Sequence, residues 1–549
     1  MSPSIHSETH QSRRRFAPGR LALAVMVFMV SANFSVAQTP TPTQIPGGST
    51  GSLPHLGDNS ELTTAAERRI GDRIAASIYR DPDNIDDPVL ADYLQAIWQP
   101  LMAAARARGE LAAELDERFA WEVFLIRDRT INAFALPGGY FGVHLGLIGT
   151  VGSSDELAAV LAHELSHVTQ RHISRLMTNQ SRQTPLIIAA MILGALAAGK
   201  NSDMLSAAVV GGQAVAVQGQ LNFSRDMERE ADRVGFGVMS DAGFESRGVT
   251  AMFDKLQQAS RLNDNGAFPY LRSHPLSTER IAEAQARLQL APVASAKDGE
   301  ADAGKARLLH AMMAARARVL ATPGVDVLRT MVAEAQRRVG PAQLESLKPT
   351  AAAVPAANIR DAGILYGGAL AAAQLRDFAG ARGLLARLKP LCGEIQRASN
   401  AVELLSIEID LLAGAVPPAA SSGDLAKAAS RADVMVRARA LLAAGRAKEV
   451  SERLQTWVAA HPKDATAWQL LAVAYGNQKQ NVRAIRADAE SRAVQLDYAA
   501  ALDRLKAAQG LMRSNPGSAD YVEGSIIDAR TRQIELLVKE QALQDKIDR

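Results

Sequence analysis

"LAAVLAHELSHVTQRH", Leu157 to His172, decides how this chain is read. His163 and His167 stand four residues apart, with Glu164 beside the first. Ser153 followed by Glu156 is a capping-box signature, so a helix is predicted to start within a residue or two of Asp155. Leu157, Val160, Leu161 and Val168 give that helix an apolar flank. One turn apart, both imidazoles project from one face and can hold a single zinc ion. Glu164 sits one residue off the pair, where it can take a proton from the attacking water. With ten histidines in 549 residues, chance would produce the five-residue pattern about 0.01 times.

A catalytic zinc needs a third protein ligand and an open position. Some zinc peptidases take a third His six residues after the second, but position 173 is Ile, and position 170 is Gln where those enzymes use Gly. His172, five residues past His167, is predicted to face elsewhere on the helix as an ordinary surface histidine. The better candidate lies in "SRDMEREADRVG", Ser224 to Gly235. On a helix Glu228 and Asp232 share a face, while Glu230 points away. Glu228 could ligate the metal, and Asp232 could accept the free ring N–H of a ligating His and fix its tautomer. Without the two histidines, a solvated charged helix would be the preferred reading of this stretch.

The rest of the chain sets limits. Its 61 basic and 58 acidic residues are spread along the whole length, with no concentrated basic stripe, which argues against nucleic acid as a partner. Arg13, Arg14 and Arg15 precede the apolar run "LALAVMVFMVSA", and Ser35-Val36-Ala37 offers a cleavage site, so residues 1–37 read as an export signal. "SRRRF" also resembles a twin-arginine signal, and an uncleaved anchor is the alternative. The single cysteine, Cys392, allows no internal disulfide and no cysteine metal site, which is compatible with a periplasm.

Residues 38–60, rich in Pro, Thr, Gly and Ser, read as a flexible linker, and 61–290 as the domain carrying the motifs. That domain is predicted to open with helices Ala65 to Tyr79 and Val89 to Arg106. "WEVFLIRD" then reads as a strand, and "INAFALPGGYFGVHLGLI" as an extended segment, a Pro137-Gly138-Gly139 turn and a second strand. A second linker is expected at 291–305. From 306 to 549 the pattern is helical, with self-similarity at a period of about 34 residues. Trp468, Leu471, Ala472, Tyr475 and Ala484 fit one tetratricopeptide repeat, closed off from the unit before it by Pro462. A second unit carries Ala369 and Ala381, and Val434 to Pro462 fits a degenerate third. An Ala-rich helical bundle without repeats is the alternative. Such hairpins must stack to bury their apolar faces, leaving a concave surface. The fold class is therefore α+β, mainly α: a zinc peptidase domain followed by an α-helical repeat solenoid.

"HELSH" and "EREAD", with "NAFALPGG" before and "RSHPLSTER" after, resemble the HtpX and type one CAAX prenyl protease family of zinc endopeptidases, which are gluzincins. Signal, peptidase and repeats in that order are similar to its periplasmic, BepA-like branch. The resemblance implies that Asn132 lies on the strand flanking the cleft and helps stabilise the oxyanion. It also implies that His274 reaches the active site, either supporting that oxyanion or occupying the fourth zinc position as a self-inhibiting switch. By physics alone His274 is a loop histidine before Pro275. The implied substrates are unfolded or misassembled proteins, with outer-membrane β-barrels and their assembly machinery as partners of the repeats. Integral members of the family cross the membrane, but here "PLIIAAMILGALAAGK" holds only about 14 apolar or small residues before Lys200, short of the ~20 needed to span. That run and the one at 204–219 read as a pair of cleft-covering helices, with a buried core role or a peripheral membrane contact left open. The rival to a protease is a chaperone or assembly scaffold with a latent zinc site.

Overall fold

The computed structural model describes residues 62–179, 224–262, 269–290, 296–338, 354–393, 395–416, 424–428, 430–514 and 520–547. The predicted signal, the linker 38–60 and the two apolar runs between the motifs lie outside the described residues. No helix among the described residues is long and apolar enough to cross a membrane.

Both opening helices form as predicted. Thr63 caps α1 (Thr64–Arg80) through the Ala66 amide, and a two-residue strand, β1 (Asn84–Ile85), follows. Asp87 caps α2 (Pro88–Ala107), accepting the Leu90 amide at 2.8 Å, and Pro88 fills the first turn, where its missing N–H has no partner to lose. After the short α3 (Ala113–Arg118) come β2 (Glu122–Ile126), β3 (Ala133–Leu136) and β4 (Tyr140–His144). The sheet order is β1-β2-β4-β3, with β2 parallel to β4 and β3 antiparallel to β4. Gly138 and Gly139 close the β3–β4 hairpin at φ of 75° and 78°, where any other residue is strained. β4 is buried along its whole length, whereas β3 is an edge strand.

The second strand was expected to run on through "LGLI", but it ends at His144, and α4 (Leu145–Thr150) begins at once. A short apolar run buried on all sides carries no period that separates strand from helix. Ser153 then starts α5 (Ser154–Thr169), accepting the Glu156 amide at 3.2 Å, as the capping signature predicted. Glu156 itself turns to the Gly152 amide (2.7 Å) and Lys255 (2.6 Å). The chain continues through α6 (His172–Asn179), α7 (Arg225–Asp241), α8 (Arg247–Leu262), α9 (Pro269–Ser273) and α10 (Thr278–Leu290). Helices α7 and α5 touch closely at Gly235, where a Cβ would lie 3.1 Å from the Ala162 backbone. That close approach lets the first turns of α7 reach the histidine face of α5.

The stretch expected as a linker at 291–305 is helical from Ala296, within α11 (Ala296–Leu320). There follow α12 (Val325–Arg338), α13 (Ala356–Gln374), α14 (Phe378–Cys392), α15 (Gln396–Leu412), α16 (Arg431–Ala443), α17 (Ala447–Ala460), α18 (Ala465–Asn477), α19 (Asn481–Val494), α20 (Tyr498–Ser514) and α21 (Tyr521–Ile547). The α16–α17 and α18–α19 hairpins start at Arg431 and Ala465, one 34-residue period apart. Ala369, Ala381, Leu471 and Tyr475 are buried where the hairpins stack. The chain is thus mainly α, a small-sheet domain followed by a helical repeat region.

One hydrophobic core runs without a break from Val89 to Ala487. Helix α11 joins the two halves, burying Leu308, Met312, Met313 and Ala317; each fully buried large apolar side chain contributes about 1.5–3 kcal/mol. His310 on α11 donates from Nε2 to the Val151 carbonyl (2.8 Å), so its Nδ1 accepts from the Tyr93 hydroxyl (2.6 Å). Arg316 on α11 is gripped by Asp87 of α2 and Glu408 of α15, at 2.6–2.9 Å.

Candidate metal centre

Three separate stretches of chain bring four donor residues together. His163 and His167 come from α5, Glu228 from the first turn of α7, and His274 from the residue after α9. All are buried, and one donor atom from each lies within 4.8 Å of the others. The Nε2 atoms of His163 and His167 are 3.0 Å apart, and Nδ1 of His274 is 3.4 Å from His163 Nε2. Glu228 Oε1 stands 2.9 Å from His274 Nδ1 and 3.5 Å from His167 Nε2. Two ligands about 2.05 Å from a common tetrahedral zinc would stand roughly 3.3 Å apart, so the observed spacings fit such an ion.

The chemistry of the donors agrees with the spacing. Asp232 Oδ1 lies 3.0 Å from His163 Nδ1 and can only accept a proton there, which leaves the Nε2 lone pair of His163 facing the cluster. Lone pairs and a carboxylate converging in a buried space repel one another unless a cation sits among them. Burial works to lower the pKa of His163, but the Asp232 and Glu228 carboxylates overcome it and hold the ring up at about 9. Burial would raise the Glu228 pKa, yet His274 and His163 hold it well below the usual carboxylate range. His167 is pushed well below its ordinary value, first by burial and then by the neighbouring histidines.

Glu164 is 1% exposed, with Oε1 3.4 Å from His274 Nε2, and burial raises its pKa. Asp232 is held from the other side by Arg280, whose Nε and Nη2 donate at 2.6 and 2.8 Å. Arg280 also reaches Glu228 Oε2 at 2.7 Å and donates to the Pro275 carbonyl at 2.8 Å, so it ties the His274 loop to α7. Asn132 directly precedes β3, and its carbonyl accepts the His144 amide at 3.1 Å.

One expectation is corrected. His172 is not a surface histidine: it is fully buried, with Nδ1 2.9 Å from His167 Nδ1 and Nε2 3.0 Å from Glu230 Oε2. Helix α5 stops at Thr169, and Arg171 takes a left-handed φ of 55°, which breaks the helical projection on which the expectation rested. Sequence reasoning also gave no role to Arg280 or Tyr270. Tyr270 stacks on the His274 ring at 4.7 Å, and its place four residues before His274 was a readable signal. Arg280 was part of a quoted motif, but only the folded chain shows which carboxylates it meets.

Residues 89–288, which hold every one of these groups, match the model of peptidase family M48. The chain carries an M48 peptidase domain. Members of that family are zinc metallopeptidases, and the M48 domain here has a donor set that suits such an ion. A putative beta-barrel assembly-enhancing protease of Vibrio cholerae is 36% identical over 242 residues, 44% of this chain and 48% of that one. The beta-barrel assembly-enhancing protease of Yersinia pestis is 28% identical over 489 residues, 87% of this chain and 90% of its own. The mitochondrial metalloendopeptidase OMA1 of Schizosaccharomyces pombe is 31% identical over 173 residues, 32% of this chain and 48% of its own. The chain thus spans about half the length of the Vibrio relative and of the equivalent Escherichia coli protein, and most of the Yersinia one.

Proposed function

We propose that this protein is a zinc-dependent endopeptidase that cuts unfolded or misassembled proteins. The observation that carries the reading is the buried His163, His167, Glu228 and His274 group, with Glu164 against it. In this reading His163, His167 and Glu228 hold one zinc ion per chain, which supplies Lewis acidity when bound. Glu164 takes the proton of the attacking water and later returns it to the leaving amine; its raised pKa brings it nearer to neutrality, where such transfers are efficient. Asp232 keeps the His163 tautomer, Asn132 donates toward the developing oxyanion, and His274 fills the fourth position until that ring moves away. The edge of β3, which pairs with no further strand among the described residues, would take a substrate strand by backbone pairing, which favours extended segments and loose side-chain preference.

The proposal extends to setting. Residues 1–37 direct export to the periplasm, and the repeat region presents clients to the M48 domain. The names of the Vibrio and Yersinia relatives support outer-membrane β-barrel assembly and quality control as the process served, with its assembly machinery as partner.

A second reading rests on His274. A fourth protein donor at 2.9 Å from Glu228 closes the position a substrate needs, so the site would be latent and the protein a chaperone or assembly scaffold. Zinc content and casein hydrolysis decide between them, measured side by side for wild type, Glu164→Gln and His274→Ala. The peptidase reading expects about one zinc per chain, retained metal with a loss of about 10²–10⁴-fold in rate for Glu164→Gln, and a faster His274→Ala. Bound zinc with no cleavage by any of the three would favour the scaffold; no bound zinc would end both readings.

A further inference from the structure

The two helix histidines of the centre are steadied differently. Asp232 of α7 meets His163 directly. The outer nitrogen of His167 meets a ring instead: His172 Nδ1 stands 2.9 Å from His167 Nδ1, and behind it Glu230 Oε2 lies 3.0 Å from His172 Nε2. Glu230 is two residues from Glu228, about 200° around the same helix, so it faces away from the metal ligands and cannot touch His167 itself. An intermediate ring spans that gap.

We propose that His172 is a positioning residue for the metal centre, relaying Glu230 to His167 so that the His167 Nε2 lone pair points at the ion. The proton positions follow from one end. Glu230 can only accept, so His172 donates from Nε2; its Nδ1 then accepts from His167 Nδ1–H, and His167 Nε2 is left bare toward the cluster. All three acidic residues of "EREAD" are thereby used: Glu228 at the centre, Asp232 on one histidine, and Glu230 on the other through His172. The backbone is bent to achieve this. Arg171, at φ 55°, turns the chain under α5, and its guanidinium is held by the Leu62 carbonyl, by Glu67 Oε2 at 3.1 Å and by Ser174 Oγ at 3.0 Å. Arg175 braces the far end, donating to Glu230 Oε2 at 3.0 Å. Both ring nitrogens of His172 are met by directional partners in a fully buried place, one of them on a metal-facing histidine.

The inference rests on the zinc reading above, and its test is zinc affinity rather than turnover. The full-length chain is stripped of metal, and zinc dissociation constants are measured by competition with a chromogenic chelator for wild type, His172→Leu, His172→Gln and Glu230→Gln. Thermal unfolding of each metal-free form is followed alongside. Loss of an outer partner of a ligating histidine costs about 10–100-fold in affinity, and that is the loss expected for His172→Leu, with the metal-free melting point little changed. Gln can accept from His167 and donate to Glu230, so His172→Gln should recover most of the loss. Glu230→Gln, which leaves the ring in place, should lose several-fold. Cobalt-loaded His172→Leu should also show shifted visible bands, because one ligand ring is free to turn. Unchanged zinc affinity in His172→Leu and Glu230→Gln overturns the proposal while leaving the zinc reading intact. So does a fall in affinity matched by an equal loss of stability in the metal-free forms, which would mark a packing role. A wild type that binds no zinc removes the zinc reading first, and this proposal with it.

Discussion

Two buried arginines in this molecule are each held by two carboxylates, and what surrounds them differs. Arg316, 2% exposed, makes five hydrogen bonds, to Asp87, Glu408 and Tyr366. Its cluster carries one surplus negative charge, and Asp87 rests that charge on the N-terminus of α2, where the helix dipole favours it. Arg280, 4% exposed, holds Glu228 and Asp232, but Glu164 lies beside them, and lone pairs of the ring nitrogens face inward. Three carboxylates stand against one guanidinium, and in the metal-free protein the His163 ring is held protonated by Asp232 and Glu228; a bound divalent cation would take the place of that proton. The same residue types therefore build a closed network in one place and an open one in the other. Only the open network calls for a ligand.

The contrast can be broken most heavily at Arg316. Arg316→Met strands the buried Asp87 and the half-buried Glu408 and should cost about 3–5 kcal/mol in urea unfolding, while zinc content stays at the wild-type level. A cost under about 1 kcal/mol would mean that the junction does not depend on its charge network. Stripping the metal tests the other side. At free zinc a thousandfold above the dissociation constant, binding stabilises by about 4 kcal/mol, so a chelator should lower the melting temperature of wild type, and of Arg316→Met by a similar increment.

A smaller effect separates the two clusters by pH. In the metal-free protein the His163 pKa is held up at about 9 rather than 6.5. Its protonated form therefore contributes stability that is fully present below pH 6.5 and lost as pH rises through about 9. Zinc competes with that proton, so apparent zinc affinity should go on rising, by up to about tenfold per pH unit, as far as pH 9. Levelling off near pH 6.5 would contradict the carboxylate field around His163. The smallest effect is at the rim of the junction, where Arg431 pairs with Asp86 at 2.6 Å, with Asp86 40% exposed. Asp86→Asn, which leaves the Arg431–Asp464 pair in place, should cost about 1 kcal/mol or less. The Asp86 pKa is lowered, chiefly by its bonds to Arg431 working against burial, so this contribution is present above the unfolded value of ~3.9 and fades as pH falls below it.

What the sequence disclosed follows the range of the interactions. His163, Glu164 and His167 were legible because one helical turn sets their spacing, and Glu228 and Asp232 for the same reason on a second helix. His172 was misread because the projection assumed an unbroken helix, and nothing in "TQRH" signals a left-handed Arg171. Arg280 meets its partners 48 and 52 residues away in sequence, at a distance no local pattern encodes. In "APVASAKDGEADAGKA" two glycines and the scattered charges suggested a linker, yet Ala, Lys, Glu and Asp outnumber them, and the run is helical from Ala296.

Helix α11 changes where the molecule can be divided. A chain ended at residue 305 would leave Leu308, Met312 and Met313 without their places in the core, and would deprive the Val151 carbonyl and the Tyr93 hydroxyl of His310. Recombination between relatives that exchanged the repeats at that point would hand on a peptidase with an open flank. The heritable module is at the least the M48 domain together with the helix after it, and Arg316 on that helix reaches on to Glu408 of α15.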